Sequence, residues 1–145
     1  MAYWLFKSEP DVWSFEMQKT KGKAGEEWTG VRNYQARNHM RAMKLGDKGF
    51  FYHTGEVKAV VGLVEVTKLA HKDSTAKEDA WECVDIRALM DVPQPVSLEA
   101  IKADRRLKNM VLVNNSRLSV QPVTPEEWKM VCDLGGVKLP PKLEG

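Results

Sequence analysis

The chain has 145 residues, 22 Lys plus Arg against 20 Asp plus Glu, and a formal net charge of +2. Hydrophobic residues at 43% and charged residues at 29% are ordinary values for one globular domain, which excludes wholesale disorder. The longest apolar run, residues 59–64, falls far short of the about 20 residues a membrane span needs, and two cysteines without a Cys-x-x-Cys pair exclude a disulfide framework.

Cys83 and Cys132 fit a reducing compartment as buried small hydrophobes, so a cytoplasmic chain is expected. The first residues lack a basic start and meet charge at Lys7, and they read as a strand rather than a signal peptide. Charge is uneven, with net +3 over residues 1–70 and −1 over 71–145. That allows a local basic patch on a near-neutral body.

Taken in order, Tyr3 to Lys7 is apolar on both faces and predicts a strand buried on both sides, ended by Pro10. Ser14 to Lys19 reads as a short helix or turn capped near Ser14. Asn33 opens a helix to about Met43, with Ala36, Met40 and Met43 as its buried stripe and Gly46 as a left-handed cap. Gly49 to Thr54 and Val57 to Leu69 read as an antiparallel hairpin. Lys72 to Asp79 is polar, a loop or a short helical piece, and Trp81 to Val92 is a strand stopped by Pro93 and Pro95. Ser97 starts a short helix to Lys102, Val111–Val113 is either extended or helical, and Arg117 to Val120 is a last strand stopped by Pro122. Thr124, Pro125 and Glu127 form a capping box with a proline at the first helical position. Trp128, Val131 and Cys132 are that helix's apolar face, and Gly135-Gly136 end it. Residues 1–136 form the domain, and 137–145 are expected to be a mobile tail. The fold class is α+β: a mostly antiparallel curved sheet of five to six strands flanked by short helices.

Catalytic signatures are sparse. The spacing of His39, His53, His71 and the cysteines matches no zinc motif, and no phosphate-binding glycine loop or serine elbow is present. No cofactor and no metal are expected. His39 and His71 read as surface residues, and Trp4, Trp81 and Trp128 as core. The dense segment is Trp28 to Asn38. It sets an aromatic, the Gly30 turn and Arg32 before a helix N-terminus, with Asn33, Arg37 and Arg41 on one helix face. That pattern suits an anion such as a phosphate, with Trp28 to stack on a base. The competing reading makes Trp28 a core-closing residue and the arginines a solvated face. Lys7-Ser8-Glu9, Tyr52-His53-Thr54 and Ser119 sit at strand ends that could join it. Their ordinary roles are a turn at Ser8, core at Tyr52 and a sheet hydrogen bond at His53.

Together, residues 4–10, 28–38, 51–54, 61–66, 81–85 and 117–123 resemble the EVE domain family, in order and over residues 3 to about 134. The resemblance implies a PUA-like fold, an open barrel or curved sheet related to YTH and ASCH domains. It also implies recognition of a modified base in DNA or RNA, taken into a pocket, with no membrane and no enzyme activity. By that resemblance Lys7, Ser8 and Glu9 give polar edge contacts and Trp28 a stacking wall. Arg32, Asn33 and Arg37 hold pocket and phosphate beside the Gly30 turn. Tyr52, His53, Thr54 and Ser119 complete the rim. Thr54 stands where the family more often has serine, and the hydroxyl survives. Two rival functions stay open at this point: a ribonuclease-like nucleic-acid enzyme using Glu9 and His53, as in ASCH relatives, and a small-molecule or peptide adaptor.

Overall fold

The computed structural model describes residues 2–138. Its first strand, β1 (Tyr3–Ser8), carries Trp4 and Phe6 toward one face and Leu5 toward the other, and all three are buried. A strand apolar on both faces has to lie inside a sheet covered on both sides. It pairs parallel to β3 (Lys48–His53) and antiparallel to β6 (Val120–Val123). β4 (Ala59–Lys72) and β5 (Glu82–Ser97) continue antiparallel beyond β3, and β2 (Glu26–Glu27) adds a two-residue edge. The order β2-β5-β4-β3-β1-β6 runs edge to edge, so the mixed, mostly antiparallel sheet is open, not closed into a barrel.

Helices cover both faces. On one face lie α1 (Phe15–Thr20) and α2 (Tyr34–Ala42), burying Phe15, Ala36 and Met40 with Trp4, Phe6, Trp28 and Phe51. On the other lie α3 (Leu98–Ala103), α4 (Val111–Asn114) and α5 (Pro125–Leu134), with Leu5, Phe50, Leu63 and Ile101. Trp128 of α5 is stacked between Tyr3 and Phe50, at centroid distances of 4.5 and 4.4 Å. Among the described residues no helix is long and apolar enough to cross a membrane.

The caps form where their side chains allow. The Ser14, Asn33, Ser97 and Thr124 side chains accept from backbone N–H groups three residues on, and Glu127 returns a bond to the Thr124 amide to complete the capping box. Several expectations are corrected. Pro93 and Pro95 do not stop β5. Val61 alone stands opposite Val92–Pro95, so the prolines fall in a bulge where no ladder donor is required. Pro122 lies inside β6, an edge strand that tolerates it, while Arg117 precedes the strand. Helix α2 ends with Met43 in an extended conformation, and Gly46 (φ 86°) makes the next turn instead of the cap. Val111–Val113 is helical. Trp81 is only half-buried, stacked on Tyr34 outside the core. His39 and His71 are likewise half-buried, the first 5.9 Å from the Trp4 ring. Val137 is buried in the core beside α5, whereas residues 139–145 of the expected tail lie outside the described residues.

Gly62 sets how close α1 comes to the sheet. A methyl there would sit 2.3–2.5 Å from three ring atoms of Phe15. Gly62→Ala therefore overpacks this face and destabilises the fold by about 1–3 kcal/mol, read as a lowered urea midpoint. An unchanged midpoint would show that Phe15 moves aside at no cost.

Candidate functional site

One rim of the sheet opens into a cavity of about 570 Å³. That is within the range of about 300–1,000 Å³ common for small-ligand sites. Its floor is the end of β1, Lys7 and Ser8, with Ser119 beside them. Ser119 accepts the Lys7 amide at 2.9 Å, which fixes the two segments against each other. One wall is Val12 and Trp13, on the loop between β1 and α1. The other is β2 and the loop Trp28–Arg32, and Ser74 and Thr75 close the far end.

Trp28 is 6% exposed. Its ring stands edge-on to Phe6 and Phe51 at 5.3 and 5.4 Å, so most of the indole is core and only a margin reaches the cavity. The core-closing reading of Trp28 holds, and the ring also contributes to the cavity lining. Trp13 is half-buried and presents more of itself. Its Nε1 donates to Gln18 Oε1 at 2.9 Å, and the buried Gln18 amide donates on to the Ile86 carbonyl at 2.8 Å. That chain of bonds sets the angle of the indole. Ser8 Oγ donates to the Trp13 carbonyl at 2.6 Å, tying this wall to the floor. Lys7 Nζ donates to the Ser116 carbonyl and lies 5.8 Å from the Tyr52 ring centroid, and burial lowers its pKa.

The Trp28–Arg32 loop is held by one buried carboxylate. Asp73 Oδ2 accepts the Gly30 amide at 2.8 Å and Arg32 Nη1 at 3.1 Å, while Oδ1 accepts the Thr75 amide and hydroxyl at 2.8 and 2.6 Å. Gly30 reaches this position at φ 87°, a left-handed conformation that favours glycine. Burial alone would raise the Asp73 carboxyl. The four donors outweigh it and hold the pKa down to about 2.

Of the residues singled out from sequence, Lys7, Ser8, Glu9, Trp28, Gly30, Arg32 and Ser119 line the cavity together. The other five stand elsewhere. Asn33 caps α2 through the Ala36 amide at 2.9 Å. Arg37 lies over the Tyr34 ring and donates to the Ala80 carbonyl at 2.9 Å, and Arg41 pairs with Glu82, so that helix face is turned to the start of β5. Tyr52 is buried on the opposite face of the sheet. His53 Nε2 accepts the Phe15 amide at 3.1 Å, and burial lowers its pKa, so the ring is neutral. Thr54 donates its amide to the Ser8 carbonyl at 2.9 Å, and its side chain does not line the cavity. Sequence reasoning missed Trp13, Glu26, Glu27, Thr75 and above all Asp73. Only Trp13 carried a local signal, a large aromatic in a polar loop behind Pro10.

Asp73 gives a pH-dependent prediction. Its folded pKa of about 2 lies below the ordinary value of about 3.9, so its contribution is complete above the unfolded pKa and is lost as pH falls toward 2. That contribution is on the order of 2 kcal/mol. Asp73→Asn should lower the urea midpoint at neutral pH and flatten the decline between pH 5 and about 2. Equal pH slopes in variant and wild type would remove Asp73 as the anchor.

Comparison with known proteins agrees with this architecture. The EVE domain model matches residues 2–134. Human thymocyte nuclear protein 1 is 36% identical over 165 aligned positions, covering 92% of this chain and 73% of that protein. A crystallised protein of Agrobacterium tumefaciens is 63% identical with a TM-score of 0.94, covering 97% of each chain. Human THYN1, crystallised in complex with 5-methylcytosine-containing DNA, is 36% identical with a TM-score of 0.86 over 93% of this chain and 98% of that one. An ASCH protein of Zymomonas mobilis, 13% identical with a TM-score of 0.58, covers 92% of this chain and 95% of its own, and shares the fold alone. With the family model spanning all but a few residues of the domain, the chain belongs to the EVE domain family.

Proposed function

We propose that the chain is a non-enzymatic reader of a modified nucleobase, and that the cavity between Trp13 and Trp28 takes up one base. The observation that carries this reading is the Trp13 indole, with the margin of Trp28, set among polar groups at one sheet rim: Ser8, Glu9, Ser119 and Arg32. Aromatic faces bind any base by stacking, at about 1–3 kcal/mol, while edge contacts select among bases. The relative crystallised with 5-methylcytosine DNA favours DNA over RNA and a methylated cytosine over other modifications. A methyl group buried in the cavity adds about 0.8 kcal/mol. The net charge of +2 favours local capture over coating of the phosphate backbone.

The nuclease reading loses its base. His53 spends Nε2 on the Phe15 amide and does not line the cavity, so it cannot pair with Glu9 there. Two buried free thiols suit a reducing compartment such as the cytoplasm.

A binding panel tests the proposal. Labelled oligonucleotides, methylated and unmodified, as DNA and as RNA, are titrated at two salt concentrations. The methylated DNA should bind tightest, with a shallow salt dependence. Trp13→Ala should weaken it about tenfold, within the range of one lost stacking contact, while its thermal midpoint shows the variant folded. Equal affinity for modified and unmodified strands would overturn base reading. Cleavage of any strand by pure protein would overturn the non-enzymatic part.

A further inference from the structure

Behind the β2 wall, three donor atoms of different chemistry come together. His71 of β4 and Cys83 of β5 are direct cross-strand partners, and Glu27 of β2 stands opposite Asp85 of β5. Glu27 Oε1 lies 3.7 Å from Cys83 Sγ and 3.9 Å from His71 Nδ1, and the three donor atoms fall within 4.8 Å of one another. Tetrahedral zinc, with bonds of about 2.3 Å to sulfur and 2.0–2.1 Å to nitrogen or oxygen, requires ligand separations of about 3.3–3.7 Å. The Glu27–Cys83 separation is close to that, the carboxylate and imidazole need to close by about half an ångström, and no two of the three donor atoms are more than 4.8 Å apart.

Each mobile ligand is also oriented from behind. Asp85 Oδ1 lies 2.7 Å from His71 Nε2, the carboxylate–histidine arrangement that fixes a metal-binding imidazole. Ser74 holds the Glu27 carboxylate, its Oγ donating to Oε2 at 2.7 Å and its amide to Oε1 at 3.3 Å, and Oε1 also lies toward the sulfur. The His71 ring meets only acceptors, Asp85 at Nε2 and the Lys72 carbonyl at Nδ1, 3.0 Å away. A neutral imidazole has one N–H and cannot satisfy both. With the proton on Nε2 facing Asp85, the Nδ1 lone pair is left for a cation, which the Lys72 carbonyl 3.0 Å away must turn aside to admit. Cys83 is fully buried, while His71 and Glu27 are about a quarter exposed, so an ion has a way in.

We propose that Glu27 Oε1, His71 Nδ1 and Cys83 Sγ form a site for a divalent cation of the zinc class, with water as fourth ligand. One soft sulfur, one imidazole and one carboxylate select zinc over magnesium or calcium, which take oxygen ligands. On binding, the Cys83 thiol gives its proton to solvent and the sulfur bonds the metal as thiolate. The site does not depend on base recognition, although Glu27 also borders the cavity.

The test uses the whole chain, freed of metal by chelator dialysis and titrated with cobalt(II) alone, then with zinc. One equivalent of cobalt should give the visible bands of a tetrahedral site and a near-ultraviolet sulfur-to-cobalt charge-transfer band, and zinc should bleach both. Cys83→Ser should abolish the charge-transfer band, whereas Cys132→Ser should keep it. His71→Gln and Glu27→Gln should weaken zinc binding about tenfold or more, and Asp85→Asn about 10–100-fold. Should Cys83→Ser fail to fold, His71→Gln and Asp85→Asn decide, since they alter a ring that is about a quarter exposed and its partner. A wild type without the charge-transfer band, or His71→Gln binding zinc as tightly as wild type, would overturn the site.

Discussion

Six residues at the start of the chain constrain the rest. β1 has large apolar side chains on both faces, so it is stable only between strands and beneath helices on both sides. Its partner β3 runs parallel to it, and two parallel neighbours cannot be joined by a tight turn. The chain between them has to leave the sheet and return, and it does so through α1, β2 and α2. That excursion carries Trp13, Trp28, Gly30 and Arg32. The cavity is therefore a consequence of how β1 is buried, set where the crossover passes the C-terminal end of the strand.

A crossover of this length is floppy unless something outside it provides an anchor. The anchor comes from the β4–β5 loop. Asp73 reaches across to the Gly30 amide and the Arg32 guanidinium, and Ser74 reaches to Glu27. A buried carboxylate without donors would be costly, and here four donors compensate it. The same bonds commit Arg32 to a fixed direction. It lies 5.7 Å from the Trp81 ring, which in turn stacks on Tyr34 under Arg37, so two stacked rings lie between two guanidinium groups.

What could be read from the chain followed the range of the interactions. Caps at Ser14, Asn33, Ser97 and Thr124 are decided within four residues and were visible. So was the burial of β1 on both faces, because it needs only the alternation of Tyr-Trp-Leu-Phe. The failures have longer reach. Pro93 and Pro95 look like strand breakers until the pairing with β4 shows one residue opposite four. Asp73 looks like any loop acid until the fold brings Gly30 to it. Tyr52 is buried on the opposite face of the sheet and His53 is engaged by the Phe15 amide, so neither lines the cavity. The family resemblance correctly set the fold. Of the cavity lining it covered Lys7, Ser8, Glu9, Trp28, Gly30, Arg32 and Ser119, and it did not point to Trp13, whose orientation depends on Gln18 nearby and, through it, on Ile86 far along the chain.

β2 is two residues long, paired to β5 on one side and open on the other. So short a ladder has few bonds to lose, and such segments open at free energies well below that of global unfolding. The outer edge is held instead by side chains: Asp73 accepts the Gly30 amide, Ser74 bonds Glu27, and Trp28 packs on Phe6 and Phe51. The wall of the cavity thus takes its position from the β4–β5 loop and the core more than from strand pairing.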